Sequence, residues 1–191
     1  MPNNANKGNS ELVKVITGKC RVSYANLNEP KSINGGKPKY SVSIIIPKSD
    51  TDTLGKIQAA IQAAYTEGES KLKGNGKIVP PLVSLKTPLR DGDVDRPADE
   101  AYENSFFVNA NSDEAPGIVD RAKIPILDRS EIYSGMYARF SINFFAFNNN
   151  GSKGIACGLN HVQKLSDGTP LGGKSRAEDD FATDFDDDFL S

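Results

Sequence analysis

Residues 135–165 read GMYARFSINFFAFNNNGSKGIACGLNHVQKL. In an extended chain successive side chains point to opposite faces. The even positions Met136, Ala138, Phe140, Ile142, Phe144 and Ala146 are all apolar, so they form one core-facing stripe. The odd positions are Tyr137, Arg139, Ser141, Asn143, Phe145 and Phe147, a face of three aromatics, one cation and two hydrogen-bonding groups. Asn148, Asn149, Asn150 and Gly151 follow, an Asn-Gly turn signal, and residues 154–165 return as the partner strand of a hairpin.

Working outward from this hairpin, residues 12–24 read as a strand with Ile16, Gly18, Cys20, Val22 and Tyr24 on its inner face and Thr17, Lys19, Arg21 and Ser23 on the other. Residues 26–37, with Pro30, Gly35 and Gly36, read as a loop. Residues 39–46 alternate again, with Tyr40, Val42, Ile44 and Ile46 inward and Lys39, Ser41 and Ser43 outward. One clear helix is expected over 49–65, capped by Ser49, with Leu54, Ile57, Ile61 and Ala64 or Tyr65 as its apolar stripe. Residues 71–77 read as a Gly- and Lys-rich loop, and 80–100, with Pro80, Pro81, Pro88 and Pro97, as irregular chain. Short strands are expected at 105–110 and from Ile118. Several strands, one main helix and long loops predict a mainly β fold, a small OB-like barrel over residues 11–166. A flexible arm (1–10) is expected before it, and a linker with a disordered acidic tail (167–191) after it.

Charge divides the chain. Residues 178–191 hold seven acids and no Lys or Arg; without those seven the chain has 18 acids against 23 bases. A basic body suits a polyanionic partner, and the tail, itself a polyanion, suits a competitor for the same surface. No apolar run is long enough for a membrane span, and the polar, Asn-rich start lacks a signal-peptide core, so a cytoplasmic protein without membrane contact is expected. Cys20 and Cys157 form no CxxC pair and read as inert thiols; with the single His161 they fall short of a zinc set, so no metal or cofactor is expected.

Three motifs lead away from catalysis. Residues 168–175, GTPLGGKS, match the phosphate-loop pattern, but acids follow where that loop needs a helix, and no later strand can supply a magnesium ligand. Asp91, Asp93 and Asp95 start like a calcium loop but meet Arg96 and Tyr102 where Gly and Glu belong. His161 has no nucleophile elbow to serve. The chain reads as a non-enzyme.

The odd face of 135–147 instead suits single-stranded nucleic acid, whose unpaired bases stack on aromatic rings while cations meet the phosphates. The candidate DNA-binding residues are Lys19, Arg21, Lys37, Lys39, Tyr137, Arg139, Phe145 and Phe147, with Lys86, Arg90 and Lys153 as weaker candidates. In the tail, Phe181, Phe185 and Phe189 recur every four residues among Asp180, Asp186, Asp187 and Asp188. Alternating rings and carboxylates imitate nucleic acid, which suits either the DNA groove or a partner protein.

Six segments carry a wider resemblance: SGMYARFSINFFAFN (134–148), NGSKGIACGLNHVQK (150–164), DGTPLGG (167–173), AEDDF (177–181), PGIVD (116–120) and GKCRVSY (18–24). Together they resemble the phage single-stranded DNA-binding proteins formerly catalogued as a domain of unknown function. The resemblance runs from about residue 12 to the end. It implies an OB-fold that binds single strands with little sequence preference in phage replication or recombination, and an acidic tail that recruits a DNA polymerase or other replication proteins. This tail departs from the pattern in one respect, since Leu190 and Ser191 follow Phe189 and displace the terminal carboxylate from the ring. A strand-annealing or recombination mediator, a metal-dependent nuclease and a structural virion protein are the alternatives. Oligomeric state stays open, a homodimer included.

Overall fold

The computed structural model describes residues 11–32 and 35–172; the arm expected at 1–10 and the tail residues from 173 onward, Asp180, Phe181, Phe185, Asp186, Asp187, Asp188 and Phe189 among them, lie outside the described residues. The elements that build the barrel are β1 (Lys14–Ile16), β2 (Cys20–Lys31), β3 (Lys39–Pro47), α1 (Thr51–Glu67), α2 (Glu69–Lys73), β4 (Leu89–Asp91), β5 (Ser105–Ser112), β6 (Gly117–Val119), β7 (Tyr137–Asn149) and β8 (Ser152–Ser166). Pairing runs β7-β2-β3-β5-β8, and β7 also pairs β8, so five strands close on themselves. The β5–β8 contact is parallel and the other four are antiparallel. A closed five-stranded Greek-key barrel of this kind is an OB-fold.

The even face of β7 lines the barrel as the alternation predicts: Met136, Ala138, Phe140, Ile142, Phe144 and Ala146 are all buried. Opposite them on β8 stand Val162 (facing Phe140), Leu159 (Ile142) and Cys157 (Phe144). Val22, Ile44, Ile46 and Val108 complete the interior, and α1 closes one end with Leu54, Ile57, Ala60, Ile61 and Ala64. Phe144 is among the largest fully buried side chains. Phe144→Ala should therefore cost about 3–5 kcal/mol of stability. Urea unfolding checks this; a loss below about 1 kcal/mol would mean the barrel interior is not close-packed at this layer.

Several local expectations are corrected. Residues 12–24 form two strands, both paired to β7, with Val15 opposite Ile142 but Cys20 opposite Ala138. The pairing slips by one residue between them, and a one-residue slip exchanges faces. Ile16 is therefore exposed while Val13 and Val15 are buried. The buried Thr17 bridges the break; its hydroxyl accepts from Phe140 N–H at 3.0 Å and donates to the Gly18 carbonyl at 2.8 Å. Tyr24, placed inward by alternation, is 54 % exposed. It has a positive φ of 45° where the β2–β3 register shifts, and such a bulge re-aims the side chain.

The loop expected at 26–37 is shorter, because β2 continues to Lys31 opposite Lys39. Helix α1 starts at Thr51 and is capped by Asp50, not Ser49, through the Thr53 N–H at 3.1 Å and the Thr53 hydroxyl at 2.6 Å. The loop expected at 71–77 begins only at Gly74, because α2 runs to Lys73. Residues 80–100 are partly regular, since β4 adds to β5 and a helical turn (Gly92–Asp95) follows it. This stretch folds over the outer face of β3 and β5. Tyr102 packs edge-on against Phe107 at 5.0 Å, beside Ile45, and its hydroxyl bonds Ser43 at 2.9 Å. Among the described residues no helix is long and apolar enough to cross a membrane.

Candidate nucleic-acid interface

The outer surface of β2, β3 and β5 forms an open groove of about 490 Å³, lined by Tyr24, Asn26, Lys31, Lys37, Lys39, Ser41, Ser43, Arg96, Asn109 and Asn111 among others. Sheet register explains the floor: Ser41 faces Asn111 and Ser43 faces Asn109, so small polar groups cover the strands and leave room above them. One rim is basic, because Lys31 and Lys39 are register partners and the turn between them carries Lys37. Lys37 makes one exposed contact, at 3.6 Å to Asp113.

The other rim is aromatic. The Arg96 guanidinium lies 5.0 Å from the Tyr24 ring centroid and 5.3 Å from that of Tyr102, and donates to the Tyr24 hydroxyl at 2.9 Å. That hydrogen bond, the largest influence on Arg96, pushes its pKa further above the ordinary arginine range. Tyr24 is thus an exposed ring held from one side by a permanent cation. The turn that carries Arg96 is pinned in its own way. Lys48 reaches Asp91 at 2.9 Å and Asp93 at 2.6 Å, and Arg90 reaches Asp95 at 2.8 Å. The hydrogen bond between Lys48 and Asp93 holds the ammonium above its ordinary pKa and the carboxyl below its own. The acids that resemble a calcium loop are charge-paired scaffold.

The residues singled out from sequence fall into three places. Lys37 and Lys39 line the groove. Lys19, Arg21 and Tyr137 cluster where β2 meets β7: Lys19 Nζ is 4.6 Å and Arg21 Cζ 5.8 Å from the Tyr137 ring centroid. Arg21 also donates to the carbonyls of Gly135 at 3.4 Å and Thr169 at 2.8 Å, so it fastens residues 167–171 across the barrel. Arg139, Phe145 and Phe147 lie on the outward face of β7, which in this closed barrel is separated from β3 by β2 on one side and by β8 and β5 on the other. Arg139 donates to the Thr17 carbonyl at 3.1 Å, Phe145 is 44 % exposed, and Phe147 is half-buried against Gly154. The structure does not bring these three to the groove. Of the weaker candidates, Arg90 is paired with Asp95, and Lys86 and Lys153 flank the β7–β8 hairpin.

Sequence reading missed Tyr24, Lys31, Arg96, Asn109 and Asn111. No sequence signal marks Arg96, which sits in the proline-rich stretch that reads as irregular, while its partner Tyr24 falls on the inner face by alternation. The two cysteines are free and buried; burial pushes Cys20 up to about 12 and Cys157 up as well, which makes both poor nucleophiles. His161 is structural, its Nδ1 accepting from Gly117 N–H at 3.2 Å and tying β6 to β8.

With this geometry in place, comparison with known proteins decides the family. The family model for the single-stranded DNA-binding protein of Enterobacter phage Enc34 matches residues 13–190. The chain belongs to this family. Protein p50 of Acyrthosiphon pisum secondary endosymbiont phage 1 is 30 % identical over 168 residues, covering 84 % of this chain and 88 % of that protein. The bacteriophage Enc34 protein in complex with single-stranded DNA is similar in structure, with a TM-score of 0.66 at 27 % identity over 83 % of this chain and 89 % of that one. Protein gp2.5 of bacteriophage T7, a single-stranded DNA-binding protein, has a TM-score of 0.60 at 12 % identity over 85 % of this chain and 97 % of that one, a likeness of fold alone.

Proposed function

We propose that this protein binds single-stranded DNA with little sequence preference, in phage replication or recombination, and has no chemistry of its own. The observation that carries the reading is the Tyr24–Arg96 stack facing Lys31, Lys37 and Lys39 across an open polar groove. Cations neutralise the phosphates and release counterions, while a ring takes a base whichever base it is. Amide side chains of Asn109 and Asn111 on the floor give hydrogen bonds that any base edge or sugar can use. The complex of the related Enc34 protein with single-stranded DNA supports the same reading. Lys19, Arg21 and Tyr137 form a secondary contact beside the groove, and Arg139, Phe145 and Phe147 a more distant one.

The acidic tail, on this reading, competes with DNA for the groove and recruits replication proteins such as a polymerase. Residues 167–171 support the first part. They are fastened by Arg21 and by the Leu171 N–H to the Ser134 carbonyl at 2.9 Å, and Leu171 lies beside residues 95–101, next to Arg96. In sequence, the seven acids begin only six residues beyond Gly172. The test is fluorescence anisotropy with labelled oligo-dT across a salt series, on the full chain and on a chain ending at Ala177. Both should bind, the shorter one tighter at low salt. If neither binds at low salt, the single-strand reading fails. If both bind equally, the tail is no competitor.

A further inference from the structure

Five lysines from three separate parts of the chain meet around the β7–β8 hairpin. Residues 70–87 contain Lys71, Lys73, Lys77 and Lys86 and no acid, and residues 141–163 contain Lys153 and no acid. The fold joins the two stretches. The Asn148 side chain donates to the Lys71 carbonyl at 3.0 Å, the Ile155 N–H to the Lys86 carbonyl at 2.8 Å, and Lys86 Nζ reaches the Ser152 hydroxyl at 3.4 Å. Gly74 packs against Asn148, with Lys153 Nζ close by, and Gly74, Asn75 and Gly76 face the hairpin across an open pocket. Lys71, Lys73, Lys77 and Lys86 are exposed and Lys153 is half-buried. Among the described residues none of the five makes an ion pair, although Lys37, Lys48, Lys56 and Lys164 all do. So many like charges without a counter-charge repel one another in the free protein, a cost that an anionic ligand removes.

We propose that this lysine patch is a further, base-independent site for the phosphodiester backbone of the strand held in the groove. The inference rests on the groove reading above. The chemistry specifies phosphate rather than base. The pocket between residues 74–76 and the hairpin is lined, among the described residues, by glycines, Asn75, Asn148, Asn150 and Lys153 and by no aromatic ring, leaving ammonium groups and amides as the donors there. Strand β8 connects the two sites, since Gly158 pairs with the groove residue Asn111 and Lys153 stands five residues earlier on the same strand. At about 3.3 Å per residue the patch begins roughly 17 Å from the groove edge, within reach of a strand that leaves the groove along the barrel. Because each lysine is a flexible point charge, the contact adds affinity and length without adding sequence preference.

The test compares oligo-dT of about six nucleotides, which fits the groove alone, with oligo-dT of about 20, longer than one OB-fold usually holds. The variant carries Lys71→Gln, Lys73→Gln, Lys77→Gln, Lys86→Gln and Lys153→Gln; a matching five-fold Lys→Arg variant keeps the charge. The short oligonucleotide should bind the Gln variant within about twofold of the unmodified protein. The long one should bind at least about tenfold more weakly at low salt, with a salt slope smaller by about 2 to 3, and the Arg variant should restore both. If the unmodified protein binds the long oligonucleotide and the Gln variant matches it in affinity and slope, the patch is not a DNA site. If the unmodified protein binds neither length, the groove reading has failed and this inference falls with it. A Gln variant that unfolds is recognised by its melting curve, and loss of long-strand binding in a Lys86→Glu, Lys153→Glu pair then decides the question.

Discussion

A protein carrying Lys31→Ala, Lys37→Ala and Lys39→Ala should bind oligo-dT about 100-fold more weakly near 0.1 M salt, and its salt dependence should flatten. The slope of log affinity against log salt changes by about 0.7 for each phosphate contact to a single strand. Removing three contacts lowers the slope by about 2, which at 0.1 M is about two orders of magnitude in affinity. The fold should be indifferent, because all three lysines are exposed and, among the described residues, only Lys37 of the three has an ion pair, a long and solvated one. The measurement is anisotropy between about 0.05 and 0.5 M salt, alongside a urea melt. Weaker binding with an unchanged slope would mean that the lysines do not touch phosphate. An unchanged affinity would move the DNA off this groove altogether.

How much of this was legible in the sequence follows from which interactions are local. The β7 stripe was readable because a regular strand keeps strict alternation, and all six of its even residues are buried. The hairpin was readable because Asn150 and Gly151, the two residues in its turn with positive φ, are the types that adopt it readily. The stripe of α1 was readable for the same reason of periodicity, while its cap moved by one residue because two oxygen-bearing side chains, Ser49 and Asp50, stood side by side. The groove was not readable. It depends on a bulge that turns Tyr24 out of the core and on a segment, 92–103, that returns from far along the chain to set Arg96 against it. No period in the sequence marks a break in period. The contact between residues 24 and 96 spans 72 positions. Alternation predicted the outward aromatics of β7 correctly as outward, but outward in a closed barrel means five different directions, and only topology says which of them share a surface.

Tyr24→Gly should separate stability from binding. A non-glycine residue at positive φ costs about 1–2 kcal/mol, and glycine removes that cost. Against this stand the extra entropy of glycine in the unfolded chain, about 0.5–1 kcal/mol, and the lost contact with Arg96, about as much again. The three contributions nearly cancel, so the variant should melt within about 1 kcal/mol of the unmodified protein. Binding has no such compensation. Stacking on an aromatic ring is worth about 1–3 kcal/mol per base, so oligo-dT affinity should fall by about 5- to 150-fold. Tyr24→Phe supplies the complementary case. It keeps the ring and the backbone and loses only the hydrogen bond from Arg96, so affinity should stay within a few-fold. A Tyr24→Gly protein that binds as tightly as the original would show that the exposed ring serves the fold. A loss in Tyr24→Phe as large as in Tyr24→Gly would place the work in the Arg96 hydrogen bond instead. The expected pattern, a near-neutral effect on stability with a large loss of binding, is what a strained backbone position maintained for ligand contact produces, since a residue kept only for packing would lose both together.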